Sequence, residues 1–261
     1  MTGKKTVLYV GCGPDHVLGK HGFDAEGWRE IRLDIDPECA PDLVGSMTDL
    51  SAVADESMNA VYSSHNIEHL HPQEVPVALK EFLRVLHPEG TLVLTCPDLQ
   101  SVCALVAQDK LLEPAYHTGT GMPIAPLDIL YGHRPSLAAG KPYMAHNCGF
   151  TARTLAGSLK SAGFSAVGVL GHKESFALYA VATRQKLEDE ALKALFMRHW
   201  SSGASAGKEE RERERERESR FRAKRKRLTG GHTSSCGRAA GIFTRHRMAG
   251  QLPVSVQRAS A

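Results

Sequence analysis

Seven short apolar runs, set between longer amphipathic or turn-rich stretches, govern residues 6–184: "TVLYVG", "WREIRLDID", "PDLVGSM", "MNAVYSSH", "GTLVLTCPD", "AVGVLG" and "FALYAVATR". Runs of this length bounded by Gly, Pro and Asp read as buried strands, and strands alternating with amphipathic stretches predict an α/β sheet. "PQEVPVALKEFLRVLHPEG" places Val77, Leu79, Phe82, Leu83, Val85 and Leu86 between charges, which predicts a helix stopped by Pro88 and Gly90. "LQSVCALVAQDKLL" and "TARTLAGSLKSAGF" predict two more helices, the second capped by Thr151. Only "HKES" separates the last two runs, too little for a crossover, so they should pair antiparallel. The expectation is a doubly wound, Rossmann-like sheet of seven strands with an antiparallel last pair.

Charge divides the chain. Residues 1–184 hold 14 Lys and Arg against 20 Asp and Glu, whereas residues 185–261 hold 18 against 9. "KLEDEALKALFMRHW" reads as a helical extension over 185–200. From 201 to 261 the Glu-Arg repeat, the cationic "RFRAKRKR" and a Gly/Ser/Arg-rich end cannot bury enough surface to offset ordering entropy, so a mostly disordered basic tail is expected. Such a tail attracts nucleic acid or an anionic surface by charge, with few aromatics for base stacking. The N-terminal "MTGKKTVLYV" lacks a signal-peptide apolar stretch, and no run reaches the roughly 18 apolar residues of a membrane span. Cysteines at 12, 39, 96, 103, 148 and 236 form no CxxC pair. Reduced thiols and a cytoplasmic location are expected, with no metal signature.

Gly11 and Gly13, directly after the first strand, allow positive φ and close approach of a ligand. A dinucleotide fingerprint wants a third glycine where His16 stands. Asp34 ends the second strand 21 residues past Gly13, where a carboxylate accepts ribose hydroxyls, and Asp36 comes next on the same face. That spacing fits NAD and S-adenosylmethionine equally, and a bare strand-to-helix turn is the plain alternative.

Taken in order, "LYVGCGPD", "REIRLDIDP", "DLVGSMTDL", "NAVYSSHNIEHL", "LKEFLRVLHPEGTLVLTCPDL" and "FTARTLAGSLKSAGF" resemble the class I S-adenosylmethionine-dependent methyltransferases. More narrowly, the pattern resembles the type 11-like bacterial branch, over about residues 6–184. The resemblance implies that Gly11, Cys12 and Gly13 face the methionine part of the cofactor. It places the ribose on Asp34, the adenine on Ile35 with Met47, Thr48 and Asp49 beside it, and the methyl-transfer site at Ser64 and His65.

Aligning an acceptor with a sulfonium methyl and removing a hydroxyl proton are the tasks left to the protein. Histidine suits the second, and "SSHNIEHLHP" offers His65, His69 and His71. His65 and His69 are the candidate bases. They share a helical face only if a helix begins at residue 65, and Pro72 limits any helix there, so no metal is assigned. Absence of an Asn/Asp-Pro-Pro-aromatic sequence disfavours methylation of base amino groups. Residues 97–148 carry Tyr116, His117, Tyr131, His133, Tyr143 and His146, which suit a small-molecule or glycan-like acceptor and O-methylation. Two rivals remain: a catalytically silent binding module on the same fold, and a nicotinamide-dependent oxidoreductase.

Overall fold

A computed structural model describes residues 3–118 and 121–200. These belong to the first of two compact units, Met1–Arg213; the second, Glu214–Ala261, and with it the expected tail, lies outside the described residues.

The chain runs β1 (Lys5–Val10), β2 (Trp28–Asp34), β3 (Leu43–Val44), β4 (Met58–Ser64), α1 (Val75–Val85) and β5 (Leu86–Pro97). It continues through α2 (Leu99–Val106), the two-strand ribbon β6 (Tyr116–His117) and β7 (Pro123–Ile124), α3 (Pro126–Tyr131) and α4 (Arg134–Ala138). Last come α5 (Ala152–Ala162), β8 (Ala166–His172), β9 (Ala177–Thr183) and α6 (Asp189–Trp200). Seven strands form one sheet in the order β3-β2-β1-β4-β5-β9-β8. The first five are parallel, and β9 lies antiparallel between β5 and β8. The expected sheet and its antiparallel last pair are both present.

Alternation decides which face each strand residue serves. Along β1, Leu8 and Val10 point to a large core filled by Leu79, Phe82, Leu86, Leu155 and Leu159, so α1 and α5 cover that face. Val7 and Tyr9 point the other way, to Phe23, Tyr62, Val93 and Val181. No α-helix lies between β1 and β2, where residues 11–27 form turns. Leu192, Leu195, Phe196 and Trp200 of α6 pack on that second face instead, and Trp200 stacks on Tyr179 at 4.6 Å. Thus the 185–200 extension is part of the sheet's cover.

One helix ends earlier than its sequence indicates. α1 stops at Val85, and Leu86 opens β5 opposite Met58, so Pro88 and Gly90 lie within the strand segment. The register slips between Met58 and Ala60, and Thr91 faces Ala60. Leu86 is fully buried, and a bulge absorbs the intervening residues, including the proline that cannot donate to a ladder. α2 is also shorter than expected, ending at Val106, because Gln108 and Lys110 both donate back to Leu105 O.

α6 is fastened by two histidines. His199 Nδ1 donates to His21 O at 2.7 Å, and His21 Nδ1 to His199 O at 3.4 Å. Burial holds both rings below the usual histidine range, and the cations of Lys20 and Arg198 act in the same direction. An unfolded chain titrates these rings near 6.5, so below that pH it binds more protons than the fold and stability falls. The thermal midpoint should hold between pH 8 and 7 and drop from about pH 6.5 downward. In a His21→Gln/His199→Gln variant followed by circular dichroism, that slope should flatten; an unchanged slope would remove the two rings as its source.

Candidate functional site

The strand order reverses between β1 and β4, the place where open α/β sheets take ligands between the loops at the carboxyl ends of the strands. The turn after β1 is stitched to the end of β2, with Gly11 N and Cys12 N both donating to Leu33 O. Arg32 clamps it from outside, donating to the carbonyls of Gly13, Asp15, Cys39 and Ala40. The Cys12 thiol is buried and pushed up to about 11, chiefly by desolvation, so it is a packing group rather than a nucleophile.

The two glycines differ in what they face. Gly11 has φ +64, and a Cβ there would lie 2.1 Å from the Asn66 side chain, which donates to the carbonyls of Val10, Gly11 and Ser64. Gly13 has φ +53, and a Cβ there would meet nothing within 4 Å. Asp34 lies buried beside it. Its Oδ2 accepts from Gly13 N at 2.7 Å and its Oδ1 from Asp36 N at 2.9 Å, which leaves each oxygen a further lone pair. Next to it in sequence Ile35 is 56% exposed, an apolar side chain left uncovered by the described residues. Open backbone at Gly13, a carboxylate with spare acceptor capacity and an uncovered apolar face fit an adenosyl ligand.

Other predicted residues are dispersed. Met47 packs against the larger core. Thr48 and Asp49 line a separate cleft of about 670 Å³ with Val77, Lys80, Glu81 and Arg84, and Asp49 accepts from Ser51 N. Ser64 hydrogen-bonds Thr95 across the ends of β4 and β5. Asp36 is tied to the insert between β5 and α5: its Oδ2 accepts from Lys141 Nζ at 3.0 Å and Tyr143 Oη at 2.5 Å. Those bonds hold its carboxyl down at about 2.

The insert roofs a second cavity of about 260 Å³, lined among others by His65, Glu68, His69, His133, Met144 and His146. His65 comes directly after β4 with φ +53, a strained conformation for a residue with a Cβ. Glu68 sits in the short 3-10 turn Ile67–His69 and is 1% exposed. Burial pushes its carboxyl up, and the facing rings of His65, His69 and His146 bring it back below the usual range. The roof is sewn to this turn by backbone bonds from Asn147 N and Cys148 N to Glu68 O, and by Asn147 Nδ2 to His69 O. That stitching sets the His146 ring 4.8 Å from the ring of His69, far away in the chain. Gly132 allows it, because a Cβ there would lie 2.2 Å from Met144 O. Asn66, Arg32 and Lys141 went unnoticed in the sequence; each acts across the fold on backbone or a distant carboxylate, and no periodicity marks such a role.

Residues 8–94 match the family model of the methyltransferase domain. That stretch of the chain is a methyltransferase domain of the type 11-like family. Its cofactor is S-adenosylmethionine. Among solved structures, the methyltransferase is similar to the Burkholderia thailandensis 1,6-didemethyltoxoflavin-N1-methyltransferase with bound 1,6-didemethyltoxoflavin and S-adenosylhomocysteine: 16% identity, 70% of this chain and 72% of that one, TM-score 0.46. A Methanosarcina mazei S-adenosylmethionine-dependent methyltransferase aligns at 17% identity over 71% of this chain and 95% of its own, TM-score 0.46. One from Archaeoglobus fulgidus aligns at 16% over 69% and 86%, TM-score 0.44. No curated protein matches the methyltransferase in sequence.

Proposed function

We propose that this methyltransferase methylates a hydroxyl of a small-molecule or glycan-like acceptor, bound in the cavity roofed by the insert. The observation that carries this reading is adjacency. The cavity begins at His65, one residue before the Asn66 that lies against Gly11, so cofactor crevice and acceptor cavity share the end of β4. S-adenosylmethionine, when bound, supplies a methyl group on a cationic sulfur, and the electrons of the broken carbon–sulfur bond stay on that sulfur. The Gly13 backbone, Asp34 and Ile35 would hold it, and Gly11 and Cys12 shape the turn beneath. His65 has a half-exposed side chain at the cavity and takes the proton of the acceptor hydroxyl; His69 is the second ring facing it. The Tyr116 and Phe176 rings, with Met122 and Ile124, exclude water and pack on the apolar side of the acceptor. The same reading puts the protein in the cytoplasm, where thiols stay reduced. Among the described residues no helix is long and apolar enough to cross a membrane.

Ligand-dependent melting of the full chain tests the reading. At 100 times its dissociation constant S-adenosylhomocysteine should stabilise the fold by about 2.7 kcal/mol, and NAD should not. Asp34→Ala should abolish that shift, because the ribose loses its acceptor. A shift with NAD alone would favour the oxidoreductase; no shift with either, over a cooperative transition, would favour a silent binding module.

A further inference from the structure

Within the acceptor cavity, three side chains present ligand atoms that all lie within 4.8 Å of one another: the Glu68 carboxylate and the rings of His69 and His146. Glu68 is buried and neither of its carboxylate oxygens has a hydrogen-bond partner; the His65 ring lies beside it, with Nδ1 at 3.4 Å from Oε1. A buried carboxylate without a hydrogen-bond partner is costly, since its water shell is gone and the facing rings offset that loss through space without a hydrogen bond.

Both neighbouring rings are fixed in one tautomer. His69 Nδ1 lies 3.0 Å from Ala145 O, and His146 Nδ1 lies 2.7 Å from Ile129 O. A carbonyl oxygen only accepts, so each Nδ1 carries the hydrogen and each Nε2 keeps a lone pair. A second ring nitrogen donating to a carbonyl is the arrangement that orients histidine ligands around metal ions and raises their basicity.

We propose that Glu68, His69 and His146 bind a divalent first-row transition ion. Two imidazoles and one carboxylate suit zinc, manganese, iron(II) or cobalt better than magnesium or calcium, which take oxygen ligands. Closing three ligand atoms onto bonds of about 2.0–2.2 Å draws them together from 4.8 Å, a movement within reach of small torsions in each side chain. Three protein ligands leave positions open toward the cavity, where an acceptor oxygen completes the sphere. On the O-methyl-transfer reading, on which this last step rests, the ion lowers the pKa of the bound hydroxyl, and the proton passes to His65.

Full-length protein stripped with a chelator and titrated with Zn²⁺ by calorimetry should bind one ion at a site lost in His146→Ala. Glu68→Gln should bind at least tenfold more weakly, and His71→Ala, outside the 3-10 turn and absent from the cluster, should bind normally. Cobalt-loaded protein should show d–d absorption that His146→Ala lacks. Circular dichroism of the variants checks that they fold; should Glu68→Gln fail, His146→Ala still decides. No binding to the folded wild-type chain, or binding that neither variant weakens, would overturn the site. Metal binding without an S-adenosylhomocysteine shift would keep the site and remove the methyl-transfer reading, whereas the shift without metal binding would do the reverse.

Discussion

A chain ending at Arg184 is expected to lose its cooperative unfolding transition, whereas one ending at Trp200 should keep it. α6 sets Leu192, Leu195, Phe196 and Trp200 on the sheet face formed by Val7, Tyr9, Tyr62, Val93 and Val181. Fully burying a large apolar side chain contributes about 1.5–3 kcal/mol, and these four are partly buried, so roughly 1 kcal/mol each is reasonable. Removing them also uncovers strand residues that are now at most 8% exposed, at a similar total cost. The sum, of order 5 kcal/mol or more, rivals the whole stability of a domain of this size. With no α-helix between β1 and β2, no other helix among the described residues packs on this face in place of α6. Urea titration followed by near-ultraviolet circular dichroism, with a dye for exposed apolar surface, separates the outcomes. A chain ending at Arg184 that melts like the longer one would show that the loop over residues 11–27 covers this face unaided.

Exchanging the two glycines of the turn for alanine should split stability from binding. Gly11→Ala puts a methyl group on the Asn66 amide, which bonds three carbonyls, and forces alanine into a left-handed conformation costing about 1–2 kcal/mol. Displacing the amide leaves buried acceptors unpaired at about 1–3 kcal/mol for each one that water cannot reach. A combined loss of about 3 kcal/mol or more is expected, seen as a lowered urea midpoint with an unchanged slope. Gly13→Ala meets no atom and incurs only the backbone term, about 1–2 kcal/mol. Its methyl group stands in the open space beside Asp34, so S-adenosylhomocysteine binding should weaken at least tenfold while the fold persists. Equal binding by Gly13→Ala and the wild-type chain in calorimetry would mean that the cofactor does not approach the turn at this point.

Residues 6–184 made the sheet legible because a strand buried on both faces must be apolar, as β1, β4, the second half of β5 and β9 are, and seven short runs separated by turn residues admit few arrangements. Asp34 was legible for a related reason: a carboxylate at the end of the second strand falls beside the turn after the first whenever those strands are parallel neighbours, and β1 and β2 are. The start of β5 was not. Pro88 and Gly90 signal a helix stop in any local reading, and only the burial of Leu86 against Met58 moves that stop back to Val85.

The sequence by itself therefore determined the order and character of its elements, the glycine turn, the acid at the end of β2 and the histidines after β4, because all of these depend on neighbours in the chain. Tertiary structure alone decided that α6 covers the empty sheet face, that Asn66 occupies the space over Gly11 while Gly13 stays open, and that Asp36 is tied to Lys141 and Tyr143. It also decided the meeting of His146 with Glu68 and His69. Local pattern carries no record of such pairs, since they form only when burial, strand order and the backbone bonds of the insert bring distant residues to one place.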